Sequence, residues 1–554
     1  MHIHSISGRQ RFTIGFGAGL IAGILASALM LLLSALGGGI SLPEALGSAI
    51  AQAMPPALFE SLLHTIGSGA KHYLFYGIVI GQCLVFALSG GLYSLVTGPA
   101  TRQGKKDDGQ LAWHHGLLLA LILWIFTGLI FLPLTGAGFF GSLLVIGAAS
   151  TTVSLAVVGV VFGLIYIFTQ NWLATRHLLQ QNNTATAQNE DYQEQRRGLI
   201  RNSLVVLGIG ALGLATWRFI TASSGKTPLS ITQQNDLLQN YKSKINPPPQ
   251  PDYSSFQPVT GLSPEITPND QFYNVSKDVF SDPAVNSSTW SLQVQGEVAT
   301  PYSLTYKELQ AIPTKQQYET MMCISNEVGG SYMSNALWEG VPLVDVLNRA
   351  GSIKPGATKV VLYGADSYSD SIHLAKALEP TTLIALRMNG QPLPTGHGYP
   401  ARLLVPGIYG MKHVKWITKI EVVDTDYLGY WQQSGWDDAA PIRMTSRIDT
   451  PVPGYHVKAG QPTYVAGVAF SGNKGISAVD VSFDAGQTWK RANLKRPLSA
   501  LTWVLWEIPW KPDSGIYNIV VRAIDLEGNV QDPHPADPAP SGSSGYHSAT
   551  IQAI

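Results

Sequence analysis

Met321-Met322-Cys323-Ile324-Ser325-Asn326-Glu327-Val328-Gly329-Gly330 holds one of only two cysteines in a chain of 554 residues. A hydrophobic run precedes the thiol and a glycine turn follows it. Two cysteines build neither a disulfide framework nor a cysteine-based zinc site. On composition alone, a lone thiol in this setting is a buried, inert core residue. The second cysteine, Cys83, lies in a long apolar stretch.

Further along stands His397-Gly398-Tyr399-Pro400-Ala401-Arg402-Leu403-Leu404-Val405-Pro406-Gly407, continuing as Ile408-Tyr409-Gly410-Met411-Lys412-His413-Val414-Lys415-Trp416. It concentrates His397, Arg402, Lys412, His413 and Lys415. Gly398, Gly407 and Gly410 permit close backbone approach. Cations and backbone N–H groups gathered this way suit a phosphate. The plainer reading is a basic strand and turn at the surface. Val414 and Trp416 interleave as core residues, which predicts that the basic side chains share one face of a strand. On pattern alone the two readings are even.

Together these stretches resemble the sulfite oxidase family of molybdopterin enzymes, over about 290 residues of the chain. The resemblance implies that Cys323 is the protein thiolate on molybdenum, beside the two dithiolene sulfurs of the pterin and oxygen ligands. A soft thiolate suits that ion. It implies that His397, Arg402, Lys412, His413 and Lys415 contact the pterin or its phosphate. Lys412 stands where many members have arginine, and His413 where many have serine. Asn269, Phe272 and Tyr273 resemble the segment that wraps the pterin. A similar Asn-x-Phe-Tyr element occurs in the bacterial methionine-sulfoxide reductase catalytic subunit. Tyr368 matches an active-site tyrosine, although Tyr and Asp in a loop are more often turn-formers. Asn326 and Glu327 fall where several members carry Asn followed by Arg. That Arg gathers sulfite, whereas Glu327 repels a dianion, so sulfite is a poor match. Glu327 and Asp370 are candidate proton carriers.

The 36 basic and 36 acidic residues cancel, leaving no basic excess to attract nucleic acid. Charged residues are only 13% of the chain, and the first 220 positions hold long uncharged runs. This asymmetry predicts a membrane half and a globular half. Five transmembrane helices are expected at residues 12–36, 73–96, 113–134, 141–169 and 199–219. The fourth is expected to tilt or break near 148–152. Residues 56–66 are too short to span and suit an interface or a re-entrant piece. Basic residues cluster before the first helix (Arg9, Arg11), after the second (Arg102, Lys105, Lys106) and before the fifth (Arg176, Arg196, Arg197, Arg201). The positive-inside rule puts these cytoplasmic and everything after about Thr221 outside, in an inner-membrane, multi-pass arrangement. Arg196-Arg197-Gly198-Leu199-Ile200-Arg201 reads equally as an internal twin-arginine export signal or as a plain basic stop. His72, His114 and His115 sit at helix ends and no Cys-x-x-Cys-His occurs, so neither heme nor flavin is expected.

Four regions follow. Residues 1–221 form the transmembrane helical bundle, and 222–268, with its run of prolines, an extended tether. Residues 269–449 form a mixed α+β molybdopterin-binding domain. Its expected pieces are helices at 304–312, 342–350 and 374–378, strands at 358–364 and 382–387, and a polar loop at 365–372. Residues 450–554 show strand-like runs at 461–470, 476–483, 488–493, 503–508 and 515–524, an immunoglobulin-like β-sandwich by pattern. In the family this domain often carries dimer contacts, so a homodimer is an open partner assignment beside the lipid bilayer. With no heme or flavin domain, electrons pass to or from a separate partner, a cytochrome or quinone-linked protein. Two functions compete. One is a membrane-anchored oxidoreductase doing oxygen-atom transfer on a small-molecule substrate. The other is a membrane-tethered binding or sensory protein that has lost its metal.

Overall fold

A computed structural model describes residues 7–35, 39–55, 58, 61–62, 70–97, 111–142, 147–183, 248–278, 282–283 and 285–554. The expected fifth helix and its arginine-rich lead lie outside the described residues. The chain divides into a helical unit and a β-rich unit.

The helical unit contains α1 (Gly8–Ala35), α2 (Leu42–Ala53), α3 (Ala70–Val96), α4 (Trp113–Leu134) and α5 (Gly147–Asn183). Among the described residues, α1, α3, α4 and α5 are long and apolar enough to cross a membrane. Sequence reading missed α2. Of the tilt or break expected near 148–152, a break is not seen, and α5 runs unbroken from Gly147. A π-helical turn, Thr127–Phe131, interrupts α4 instead. Glycines set the helix spacing. A Cβ at Gly15 would meet the Gly90 carbonyl. Several polar groups inside find partners, as a low-dielectric bundle favours: Tyr166 donates to the Gly90 carbonyl at 2.8 Å and Gln82 to Ser27 at 2.8 Å, whereas the buried Gln170 Oε1 has none.

The β-rich unit starts with β1 (Ser291–Gly296), β2 (Tyr302–Thr305), β3 (Lys315–Met322), β4 (Met333–Pro342), β5 (Lys359–Gly364), β6 (Ser369–His373), β7 (Leu383–Met388), β8 (Gln391–Pro392), β9 (Arg402–Leu404) and β10 (Ile417–Val423). One sheet runs β2-β1-β10-β5-β6. A second runs β3-β4-β7-β8, with β9 paired to β7. Helices α6 (Tyr306–Ala311), α7 (Leu343–Asn348) and α8 (Leu374–Ala377) complete the α+β region. Thr305-Tyr306-Lys307-Glu308 starts α6 by a reciprocal capping box: Thr305 Oγ1 accepts from Glu308 N–H, and Glu308 Oε2 from Thr305 N–H. One core joins Leu292 and Val294 of β1, Val360 and Leu362 of β5, Ile384 of β7 and Leu403 of β9. The loop expected at 365–372 is a turn followed by β6, whose Asp370, Ser371 and Ile372 are buried.

The chain continues as β11 (Thr445–Thr450), β12 (His456–Val457), β13 (Thr463–Phe470), β14 (Ile476–Ser482), β15 (Lys490–Arg491), β16 (Asn493–Leu494), β17 (Val504–Trp510), β18 (Gly515–Asp525) and β19 (His547–Ala553). They form a sheet β11-β13-β17-β16 and a sheet β12-β19-β18-β14-β15. Val465 and Trp506 of the first meet Val479, Ile519 and Ile551 of the second in one core. β11 pairs with β13, so these sheets begin before the expected boundary at 450. The last strand escaped sequence reading.

The C-terminal part of the expected tether is folded into this unit. Phe256 is buried with Trp503, Leu505 and Phe470, a burial worth about 1.5–3 kcal/mol. Glu265 pairs with Lys495 at 2.7 Å, both buried. Thr267 N–H donates to the Asn335 carbonyl at 2.8 Å.

Candidate active site

β3 ends where the glycine turn begins. Side chains alternate along a strand, so Glu319, Met321 and Cys323 share one face. Cys323 is buried and not disulfide-bonded. Its N–H donates to the Tyr332 carbonyl at 2.9 Å, and its carbonyl accepts from Asn326 N–H at 3.1 Å. Asn326 is buried, and its Oδ1 accepts from Tyr332 N–H at 2.8 Å, closing the loop. Glu327 is exposed on this turn. Gly329, at φ +79°, has no room for a side chain, because a Cβ would strike the His547 ring.

β9 and the segment after it supply the cations. Arg402 is buried, stacks over Trp338 at 5.5 Å, and donates to the His397 carbonyl at 3.2 Å, the His413 carbonyl at 3.3 Å and Met321 Sδ at 3.3 Å. Burial brings its pKa down to about 10. His413 is buried, with Nε2 3.2 Å from the Ile408 carbonyl. Burial first, then the charge of Arg402, holds it near 3. The same two causes, with Lys415, hold His397 near 4. Its Nε2 lies 3.1 Å from the Asn269 carbonyl, and its ring meets Phe272 edge-on at 5.4 Å. Both imidazoles are therefore neutral at neutral pH. Asn269 also bonds Asn389 at 2.9 Å. Lys415 donates to Asn274 at 2.9 Å and the Gly396 carbonyl at 3.0 Å.

The expectation that these basic groups share one face of a strand fails. Gly410–Lys412 is a 3-10 turn, and β10 starts only at Ile417. Trp416 sits at φ +50°, a left-handed conformation that costs a bulky residue about 1–3 kcal/mol. Its indole N–H, bonded to the Thr395 carbonyl at 2.8 Å, helps hold it there. Lys412 is fully buried against Asp370 and Asp438.

Four buried polar atoms on this wall have no partner: Tyr273 Oη, Glu319 Oε1, Arg402 Nε and His413 Nδ1. They belong to one neighbourhood. Glu319 Oε1 is 4.0 Å from His413 Nδ1. The Tyr273 ring is half-buried, but its hydroxyl is sealed. Burial and then the Cys323 charge push its pKa well up. A Cβ at Gly410 would come within 2.6 Å of that hydroxyl. Burial pushes Glu319 up to about 8, so it is neutral at pH 7. Unmade bonds on buried polar atoms cost about 1–3 kcal/mol each, so such a group marks a place for a polar ligand. Among the described residues no three His, Cys, Asp or Glu side chains converge as a metal cage. A thiol, an arginine and neutral donors beside it fit a pterin-borne metal with an anionic tail. Sequence reading missed Glu319 and the C-terminal contacts to the cysteine turn; only burial reveals them.

Tyr368 directly precedes β6. It is buried, and its hydroxyl is 2.8 Å from the Met411 carbonyl and 3.1 Å from Asp370 Oδ2.

Two segments of the chain match known family models. Residues 279–431 match the oxidoreductase molybdopterin binding domain, and residues 439–538 the Mo-co oxidoreductase dimerisation domain. The chain is 33% identical over 314 residues to mitochondrial sulfite oxidase of Homo sapiens, covering 48% of this chain and 57% of that one. It is 31% identical over 316 residues to sulfite oxidase of Gallus gallus, covering 48% and 68%. The chain thus spans little more than half the length of the mammalian relatives. A solved structure of the sulfane dehydrogenase SoxCD from Paracoccus pantotrophus aligns at 21% identity and a TM-score of 0.47, covering 59% of this chain and 93% of that chain. With its cysteine turn, its basic segment and these sequence matches, the chain belongs to the sulfite oxidase family of molybdopterin-binding oxidoreductases.

Proposed function

We propose that this chain is a membrane-anchored molybdopterin-dependent oxidoreductase that carries out two-electron oxygen-atom transfer on a small substrate outside the cytoplasm. The carrying observation is the wall of four unpartnered buried polar atoms beside Cys323. When bound, the molybdenum–pterin cofactor supplies a centre that exchanges two electrons and an oxygen atom. Cys323 is the protein's thiolate ligand, and burial around it limits water. Arg402 and His413, with Lys415 and His397 behind them, hold the pterin and its phosphate. Asn326 shapes the turn. Tyr368 holds a proton at its hydroxyl oxygen. Glu327, exposed on the same turn, disfavours a dianion and favours a neutral or weakly charged substrate such as a sulfoxide.

The helices α1, α3, α4 and α5 anchor the protein in the inner membrane. The C-terminal pair of sheets, read as immunoglobulin-like, overlaps the dimerisation-type match at residues 439–538, and that match supports a homodimer. A separate cytochrome or quinone-linked protein exchanges the electrons. The test is elemental and pterin analysis of full-length protein made in a host that synthesises the cofactor, followed by turnover of sulfite and of a sulfoxide with redox dyes. Stoichiometric molybdenum and pterin are expected, with sulfoxide preferred. Protein free of both would favour the rival, a membrane-tethered binding or sensory protein.

A further inference from the structure

The buried charges around Lys412 form a line leading from Tyr368 to the surface. Lys412 Nζ donates to Asp370 Oδ1 at 2.8 Å, the Ser371 carbonyl at 3.0 Å and Asp438 Oδ1 at 2.9 Å. An ammonium has three protons, so all of them are committed and none is left for a phosphate. The other oxygen of Asp438 accepts from Lys359 at 2.7 Å, and Lys359 meets the exposed Asp426 at 2.5 Å. At the inner end Tyr368 has one proton and two acceptors in reach, the Met411 carbonyl and Asp370 Oδ2. The Asp370 side chain has no exposed surface. A buried carboxylate stays charged only with a partner. If it were neutral it would offer a donor of its own, and the direction of the Tyr368 O–H would no longer be set.

We propose that Lys412 and Asp370 are positioning residues that fix the Tyr368 hydroxyl at the active site, and that Lys412 does not touch the cofactor. This rests on the reading of the Cys323 site given above. The groups facing each member are few. Tyr368 meets Asp370, Asp366 and Tyr430. Asp370 meets Lys412 and Tyr368, and burial, which pushes its carboxyl up, is opposed chiefly by Lys412. Asp438 meets both lysines.

The test uses full-length protein and the variants Lys412→Met, Lys412→Arg and Asp438→Asn. Pterin content is read by fluorescence after oxidation. The Asp370 carboxyl is titrated by infrared difference against Asp370→Asn on cofactor-free protein, and the pH profile of kcat/KM is recorded on loaded protein. Lys412→Met should keep wild-type pterin content. Its protonated Asp370 band should persist about one pH unit or more higher, with the acid limb of kcat/KM moving alike. Lys412→Arg should restore both. Asp438→Asn removes the competing carboxylate, so the band should titrate lower, and this variant answers if Lys412→Met does not fold. A tenfold loss of pterin in Lys412→Met with an unmoved band would make Lys412 a cofactor contact and overturn the proposal, as would an unmoved band in Asp438→Asn. The infrared arm needs no cofactor. Wild-type protein without pterin would sink the site reading alone.

Discussion

The hydroxyl of Ser543 donates a 2.7 Å hydrogen bond to the carbonyl of Asn326, three residues after Cys323. Ser543 lies just before β19, the final strand, and beyond the residues matched by either family model. Its neighbours press on the same region. The His547 ring fills the space beside Gly329, and Gly542, at φ +88°, lies against the Tyr409 hydroxyl. Arg447 donates to the Gly330 carbonyl at 2.8 Å. The thiol-bearing turn is thus clasped by the C-terminal sheets.

Ser543→Ala should cost about 0.5–1.5 kcal/mol, the net worth of one hydrogen bond. Amide exchange at residues 326–330 should quicken while that of the β17 core does not. Exchange mapped by mass spectrometry checks this. Unchanged protection of the turn would mean that Ser543 does not hold it.

Cys323→Ser replaces a soft thiolate by a hard, weakly acidic hydroxyl. Pterin content should stay near normal, because Arg402 and Lys415 lie on other segments. Turnover should fall by about 100-fold or more, since even outer-shell changes cost about 10–100-fold. The molybdenum–sulfur signal should change. Cys83→Ser, beside the Ser27 hydroxyl in the helical unit, should do neither. Normal turnover in Cys323→Ser with an unaltered signal would remove the thiolate assignment.

The pH dependence of stability should have two opposed parts in cofactor-free protein. His413 and His397 are held near 3 and 4 in the fold, against about 6.5 unfolded. Below about 6.5 the unfolded chain binds more protons, so their contribution is lost as pH falls. Glu319 is near 8 in the fold, against 4.5 as its ordinary value. Between these values the folded state holds the extra proton, so this contribution is lost as pH rises toward 8. His413→Gln should flatten the acid side and Glu319→Gln the alkaline side, each on the order of 1–3 kcal/mol. Denaturant titrations at several pH values read both slopes.

Glu327→Arg should raise kcat/KM for sulfite by about tenfold through electrostatic attraction, with the gain shrinking at high salt. Steady-state kinetics at two ionic strengths checks this. Efficient sulfite turnover by the unmodified enzyme would show that another cation gathers the anion.

Reporters fused after Thr221 should be active only as extracytoplasmic reporters. Activity of a reporter that works only in the cytoplasm would reverse the proposed topology.

Local pattern was legible where local physics decides. Apolar runs located four helices by length and composition, and the short helix expected at 304–312 is α6. Strand-like runs at 358–364 and 476–483 located β5 and β14, and the cysteine turn and basic segment pointed to the family. What side chains do with their charge was settled elsewhere. Lys412 reads as a phosphate cation in sequence, but the tertiary fold brings Asp370 and Asp438 from two other segments to its ammonium. Trp416 looks like one step of an alternating strand, yet its positive φ breaks that strand, because packing and the Thr395 carbonyl outweigh local preference. Glu265 sits in what reads as a tether, and the distant Lys495, with Tyr253, makes its burial tolerable. The sequence by itself determined the family and the two segments that supply the candidate site residues. Tertiary structure decided which of those side chains are buried together and with which partners, because burial and partner choice depend on segments that are far apart in the chain.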